Sequence, residues 1–139
     1  MHHVDMETTI QSYRDLRIYQ AAFALQQEIF KATHSFPAEE RYSLTDQLRR
    51  SSRSMGANLA EAWAKRRFPA HFLSKLTDVD GEASETWHWL ETANACGYLD
   101  EVRKAQLIAQ LEGVCRMLGR MMHKADTFVP LGARKTGTP

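Results

Sequence analysis

From Leu16 onward the apolar residues of this chain recur at the helical period, in four stretches separated by short breaks, and no strand-like alternation competes with them. That pattern restricts the chain to an all-α architecture. In the first stretch Leu16, Tyr19, Phe23 and Phe30, with Ile18, Ala22, Leu25 and Ile29 beside them, form a broad stripe that ends near His34. Ser35-Phe36-Pro37 breaks it, because the residue before a proline is pushed out of the helical region. In the second stretch Leu44, Leu48, Met55, Leu59 and Ala62/Trp63 form the apolar face, and Ser43 with Asp46 three residues later reads as a cap. Pro69 suits the first turn of a third helix, which continues through Phe72, Leu76, Val79, Ala83, Trp87 and Leu90 to a stop at Gly97. Asp100 caps a fourth, with Val102, Leu107, Leu111, Val114, Leu118, Met121 and Met122.

The spacing therefore predicts helices near 14–34, 43–66, 69–97 and 100–125, with Phe23, Leu48, Leu59, Leu76, Trp87, Val114 and Leu118 in the core. Short connections between long helices make antiparallel neighbours the default, so the expected fold is a single-domain, up-down-up-down four-helix bundle over 13–126. Flexible ends are expected at 1–12 and 127–139, the latter polar and aperiodic around Leu131-Gly132-Ala133. A chain of 139 residues, 43% hydrophobic and 25% charged, fits one ordinary globular core.

Net charge is +1, which gives the whole molecule no electrostatic mandate to bind nucleic acid or an anionic membrane. The distribution says more. Summed along the sequence, residues 1–40 carry about −3, 41–67 about +5, 68–101 about −6 and 102–139 about +5. Basic and acidic helices can pair within one chain or between chains. Cys96 and Cys115 lack any CxxC or disulfide-framework spacing, and no signal-like or membrane-spanning run is present. Both thiols read as small buried apolar groups, and a cytoplasmic protein without membrane contact is expected.

The chemistry-bearing patterns are weak. Glu85 and His88 have the spacing of a di-iron ligand pair, but that site needs the pair twice and further glutamates. Asp78, Asp80 and Glu82 resemble a calcium loop, yet Gly81 falls at the wrong position. No phosphate loop, nucleophile elbow or zinc-binding helix occurs, and a nucleophilic cysteine would need an adjacent base. No catalytic residue, metal or cofactor is expected, and the chain does not read as an enzyme. The second helix holds the one unusual polar pattern. Gln47, Arg50, Ser54, Asn58, Glu61 and Lys65 recur at three- or four-residue steps, Arg49 and Arg53 stand one turn apart on a neighbouring face, and small residues (Ser51, Ser52, Gly56, Ala57, Ala60) would let another backbone approach.

Ser12-Tyr13-Arg14-Asp15-Leu16, Ser35-Phe36-Pro37 with Glu40-Arg41-Tyr42, Leu44 to Arg50, Asn58-Leu59-Ala60-Glu61 and Gly97-Tyr98-Leu99 together resemble the bacterial four-helix-bundle family encoded in intervening sequences of large-subunit ribosomal RNA genes. The similarity covers about residues 12–125. That family is in turn similar to the accessory variability proteins of diversity-generating retroelements, pentameric rings with basic surfaces that act beside a reverse transcriptase and nucleic acid. The resemblance implies a homo-oligomeric ring, most simply a pentamer. It places any RNA-, DNA- or partner-binding role on Arg49, Arg50 and Arg53, helped by Lys65, Arg66 and Arg67, with Gln47, Asn58 and Glu61 as a structural polar network. Two readings follow: a non-enzymatic nucleic-acid-binding accessory protein, or an oligomeric protein-binding scaffold with no nucleic-acid contact.

Overall fold

A computed structural model of the chain describes residues 10–128. It contains four α-helices, α1 (Arg17–Thr33), α2 (Leu44–Ala64), α3 (Pro69–Ala95) and α4 (Glu101–His123), with short 3-10 turns at Tyr13–Asp15, Ala38–Glu40 and Ala125–Thr127, and no strand among the described residues. Helix α2 packs on α1 and α3, and α4 packs on α3 and α1, the closed cycle of neighbours of a four-helix bundle. The expected flexible ends lie mostly outside the described residues. Within them, Ile10 and Phe128 pack against the core.

The core runs the length of the bundle through Leu25 and Ile29 of α1, Leu48, Met55 and Leu59 of α2, Phe72, Leu76 and Leu90 of α3, and Leu107, Leu111 and Val114 of α4. Two expected core residues are not there. Phe23 is 45% exposed, because the buried stripe of α1 is Ile18, Ala22, Leu25 and Ile29 and Phe23 lies a hundred degrees around the helix from Ala22. Trp87 is only half-buried. The position facing α2 is Thr86, fully buried, whose hydroxyl lies 2.8 Å from both the Ser51 hydroxyl and the Glu82 carbonyl. A hydroxyl satisfied inside its own helix can occupy a core site at little cost.

Three of the helix ends follow local chemistry directly. Pro69 opens α3, and the Asp100 carboxylate accepts from the Arg103 N–H at 2.7 Å to cap α4. At the end of α3, Gly97 adopts φ +80°, its N–H donates to the Asn94 carbonyl and the Tyr98 N–H donates to the Ala93 carbonyl, a Schellman motif. The start of α2 differs from expectation. Ser43 has φ −124° and ψ −100°, so its hydroxyl does not cap the helix. Glu40 does so instead: its Oε1 accepts from the Ser43 hydroxyl at 2.6 Å and the Leu44 N–H at 3.3 Å, while Oε2 accepts from the Tyr98 hydroxyl at 3.0 Å. One carboxylate thus ties the α1–α2 connection to the α3–α4 connection.

Basic and acidic helices pair within the chain. Arg50 of α2 binds Glu82 and Glu85 of α3, Lys75 of α3 binds Glu61 of α2, Lys104 of α4 binds Glu91 of α3, and Arg103 of α4 binds Glu28 of α1.

Candidate nucleic-acid interface

The N-terminal half of α2 and the turn before it form one wall of an open groove of about 510 Å³. Arg41 and Tyr42 of the turn, Thr45, Asp46, Arg49, Arg50 and Arg53 of α2, and the small residues Ser54 and Ala57 line it. Helix geometry brings the arginines together: Arg49 and Arg53 are one turn apart, about 6 Å along the axis. Cross-helix contacts then set each guanidinium. Arg49 Nε donates to the Thr33 hydroxyl of α1 at 2.8 Å, and its guanidinium lies 4.7 Å from the centre of the Phe30 ring. Arg53 lies over the same ring at 5.6 Å. An aromatic face holds a cation without neutralising it.

Arg50 is a different group. Its Nε donates to Gln47, and its two terminal nitrogens donate to Glu82 and Glu85. The Trp89 indole N–H donates to the same Glu85 oxygen at 3.0 Å and is the main cause holding that carboxyl below its ordinary value, with Arg50 adding to it; Glu85 in turn raises Arg50. Among the described residues no carboxylate pairs with Arg41, Arg49 or Arg53, and Asp46 is the only acid on the groove wall. Thr45, on the same wall, carries the one buried side-chain polar atom without a hydrogen-bond partner among the described residues.

The remaining expected site residues are elsewhere. Lys65, Arg66 and Arg67 follow the C-terminal end of α2, about 25 Å along the helix from Arg49, and do not line the groove. Arg66 folds back, its guanidinium 4.0 Å from the Trp63 ring centre and donating to the Trp63 carbonyl. Gln47, Asn58 and Glu61 make three separate contacts, to Arg50, the Ser54 carbonyl and Lys75. Sequence reading missed Arg41, Tyr42 and Thr45 as groove residues. The available signal was Arg41 lying within the same basic segment, eight residues before Arg49.

A second, apolar groove of about 310 Å³ adjoins the first and shares Arg53 with it. Tyr13, Tyr19 and Phe23 form one side, Gly56, Ala57 and Ala60 the other. A Cβ on Gly56 would stand 3.4 Å from the Tyr19 ring, in ordinary van der Waals contact, so the two sides of this groove already lie close.

No group of three or more His, Cys, Asp or Glu side chains among the described residues could hold a metal. Cys96 is exposed at the end of α3 rather than buried, because the helix terminates there. Cys115 is half-buried, and burial, with Asp80 and Glu112 adding, raises its thiol away from reactivity. No described helix is long and apolar enough to cross a membrane.

No curated protein matches the chain. A crystal structure of a protein of unknown function from the S23 ribosomal protein family of Bacteroides thetaiotaomicron superposes with a TM-score of 0.70 at 21% identity, over 77% of this chain and 96% of that one. The likeness is one of fold. The sequence model of the 23S rRNA-intervening sequence proteins matches residues 14–120, and the chain belongs to that family.

Proposed function

We propose that this protein is a non-enzymatic, homo-oligomeric helical bundle that binds nucleic acid through the α2 groove, by the phosphate backbone and without base specificity. The observation that carries the reading is the convergence of Arg41, Arg49 and Arg53 on one open groove with no carboxylate partner among the described residues. Guanidinium groups left in this state are matched to phosphate oxygens, which they hold bidentately. Two of them are also held in place by Phe30 and Thr33 before any ligand arrives, which lowers the ordering cost of binding.

Assembly supports the same reading. The apolar groove, where Phe23 is 45% exposed opposite Gly56, Ala57 and Ala60, suits the close approach of a second copy. Because Arg53 lines both grooves, a neighbour seated there extends the basic surface from one protomer to the next. A ring of five, the assembly the family resemblance implies, repeats each modest patch and sums their fields.

A protein-binding scaffold is the second reading, favoured by the neutralisation of Arg50 and by Asp46 on the groove wall. Gel shifts with RNA and with DNA across a salt series separate the two. The accessory-protein reading predicts a shift at low salt whose affinity falls steeply as salt rises. Absence of any shift at low salt overturns it in favour of the scaffold.

A further inference from the structure

Tyr42 sits in the turn between the 3-10 helix Ala38–Glu40 and α2, and the residue is 86% exposed, well above the next most exposed large apolar residues. A lone exposed tyrosine is ordinary. Three features distinguish this one. It lines the groove with Arg41, Arg49 and Arg53. Its turn is pinned on both sides: Glu40 binds Ser43, Leu44 and Tyr98, and the buried Phe36 ring packs 5.7 Å from the Tyr98 ring. Finally, the Arg41 guanidinium lies 6.0 Å from the Tyr42 ring centre, so cation and aromatic face are presented together. A water-facing ring on a pinned turn, beside guanidinium groups with no carboxylate partner among the described residues, is the combination with which proteins hold unpaired strands, bases on rings and backbone on charges.

We infer that the groove takes an unpaired nucleic-acid strand in preference to a duplex, with a base stacked on Tyr42 and the neighbouring phosphates on Arg41, Arg49 and Arg53. The inference rests on the reading of this groove as a nucleic-acid surface and narrows its substrate class. Stacking needs a base with a free face. Within a duplex both faces are covered by neighbouring base pairs, so away from the duplex ends the ring can contribute only where the strand is single.

The test compares a short oligonucleotide with the same oligonucleotide annealed to its complement, by fluorescence anisotropy at low salt, for the intact protein and for Tyr42→Ala and Tyr42→Phe. Because the ring is so exposed, both variants should keep the wild-type circular dichroism and assembly. The expected result is tighter binding of the strand than of the duplex, a loss of about 5- to 150-fold in strand affinity for Tyr42→Ala, little change for the duplex, and near wild-type behaviour for Tyr42→Phe, which keeps the ring. Equal affinity for strand and duplex, or a Tyr42→Ala variant that binds the strand like wild type, overturns the inference while leaving the groove a phosphate-binding surface. Absence of binding to either form overturns both.

Discussion

At position 50 the chain carries an arginine that, read from its neighbours in sequence, is interchangeable with Arg49 and Arg53, and the fold makes it a different group. The residues that separate them lie 32 and 35 positions away, Glu82 and Glu85 on α3, and one turn back on α2, where Gln47 takes the Arg50 Nε. Arg49 instead leans on Thr33 and Phe30, which leave its charge intact. Opposite signatures follow. Arg50→Gln should lower stability by about 0.2–1 kcal/mol, the range of a partly exposed ion pair, and change nucleic-acid affinity little. Arg49→Gln should weaken nucleic-acid binding more than it weakens folding. Urea midpoints and binding isotherms measured on the same two variants distinguish the roles; a pattern reversed between them contradicts the assignment.

Among the elements, the helix ends show where local chemistry decides and where it does not. Pro69, Gly97 and Asp100 act through their own backbone or the next few residues, and each stands where the spacing predicts. Gly97→Ala forces a Cβ into a left-handed conformation, φ +80°, and should cost about 1–2 kcal/mol in urea unfolding. Ser43 fails as a cap because its backbone departs from cap geometry, and Glu40, three residues before it, takes its place; what holds Glu40 there includes Tyr98 some sixty residues away, a contact no window of sequence contains. The same limit explains Phe23 and Trp87. Periodicity identified both helices, but the sector that faces the partner depends on how the helices dock. A polar Thr86 in the interface was invisible until Ser51 stood opposite it. Arg41 and Tyr42 escaped notice as groove residues because they belong to a turn, where no period links them to α2. Glu40 also gives a pH dependence. Hydrogen bonds from Ser43, Tyr98 and Leu44 hold its carboxyl below the ordinary glutamate value, as Arg103 and Lys31 do for Glu28. Their stabilisation is therefore complete above the ordinary value, about 4.3, and is lost as pH falls through the lowered folded values. Urea midpoints should drop as the pH is taken from about 6 to about 3, and Glu40→Gln should flatten that drop; an unchanged profile in the variant counts against the carboxylate's role.

For the whole molecule, the near-neutral net charge conceals two surfaces of different character. Charges of opposite sign meet between helices within the chain, while Arg41, Arg49 and Arg53 of the α2 groove have no carboxylate partner among the described residues. Beside it lies the apolar groove proposed to receive a second copy. Sedimentation at micromolar concentration should therefore return a species several times the 15.9 kDa of the chain. Phe23→Asp, at a site 45% exposed within one protomer, should release monomers of unchanged helicity; a wild-type monomer at those concentrations contradicts the assembly. The central claim, that the groove arginines hold phosphate, is tested most directly by the salt dependence of binding in an Arg49→Gln/Arg53→Gln protein whose assembly has first been shown intact. Each phosphate contact removed should reduce the slope of log affinity against log salt by about 0.7 for a single strand, so the variant should bind more weakly and with a slope shallower by roughly 1.4 per protomer engaged. An assembled variant that binds with the wild-type affinity and slope would show that nucleic acid, if bound, is held elsewhere on the molecule.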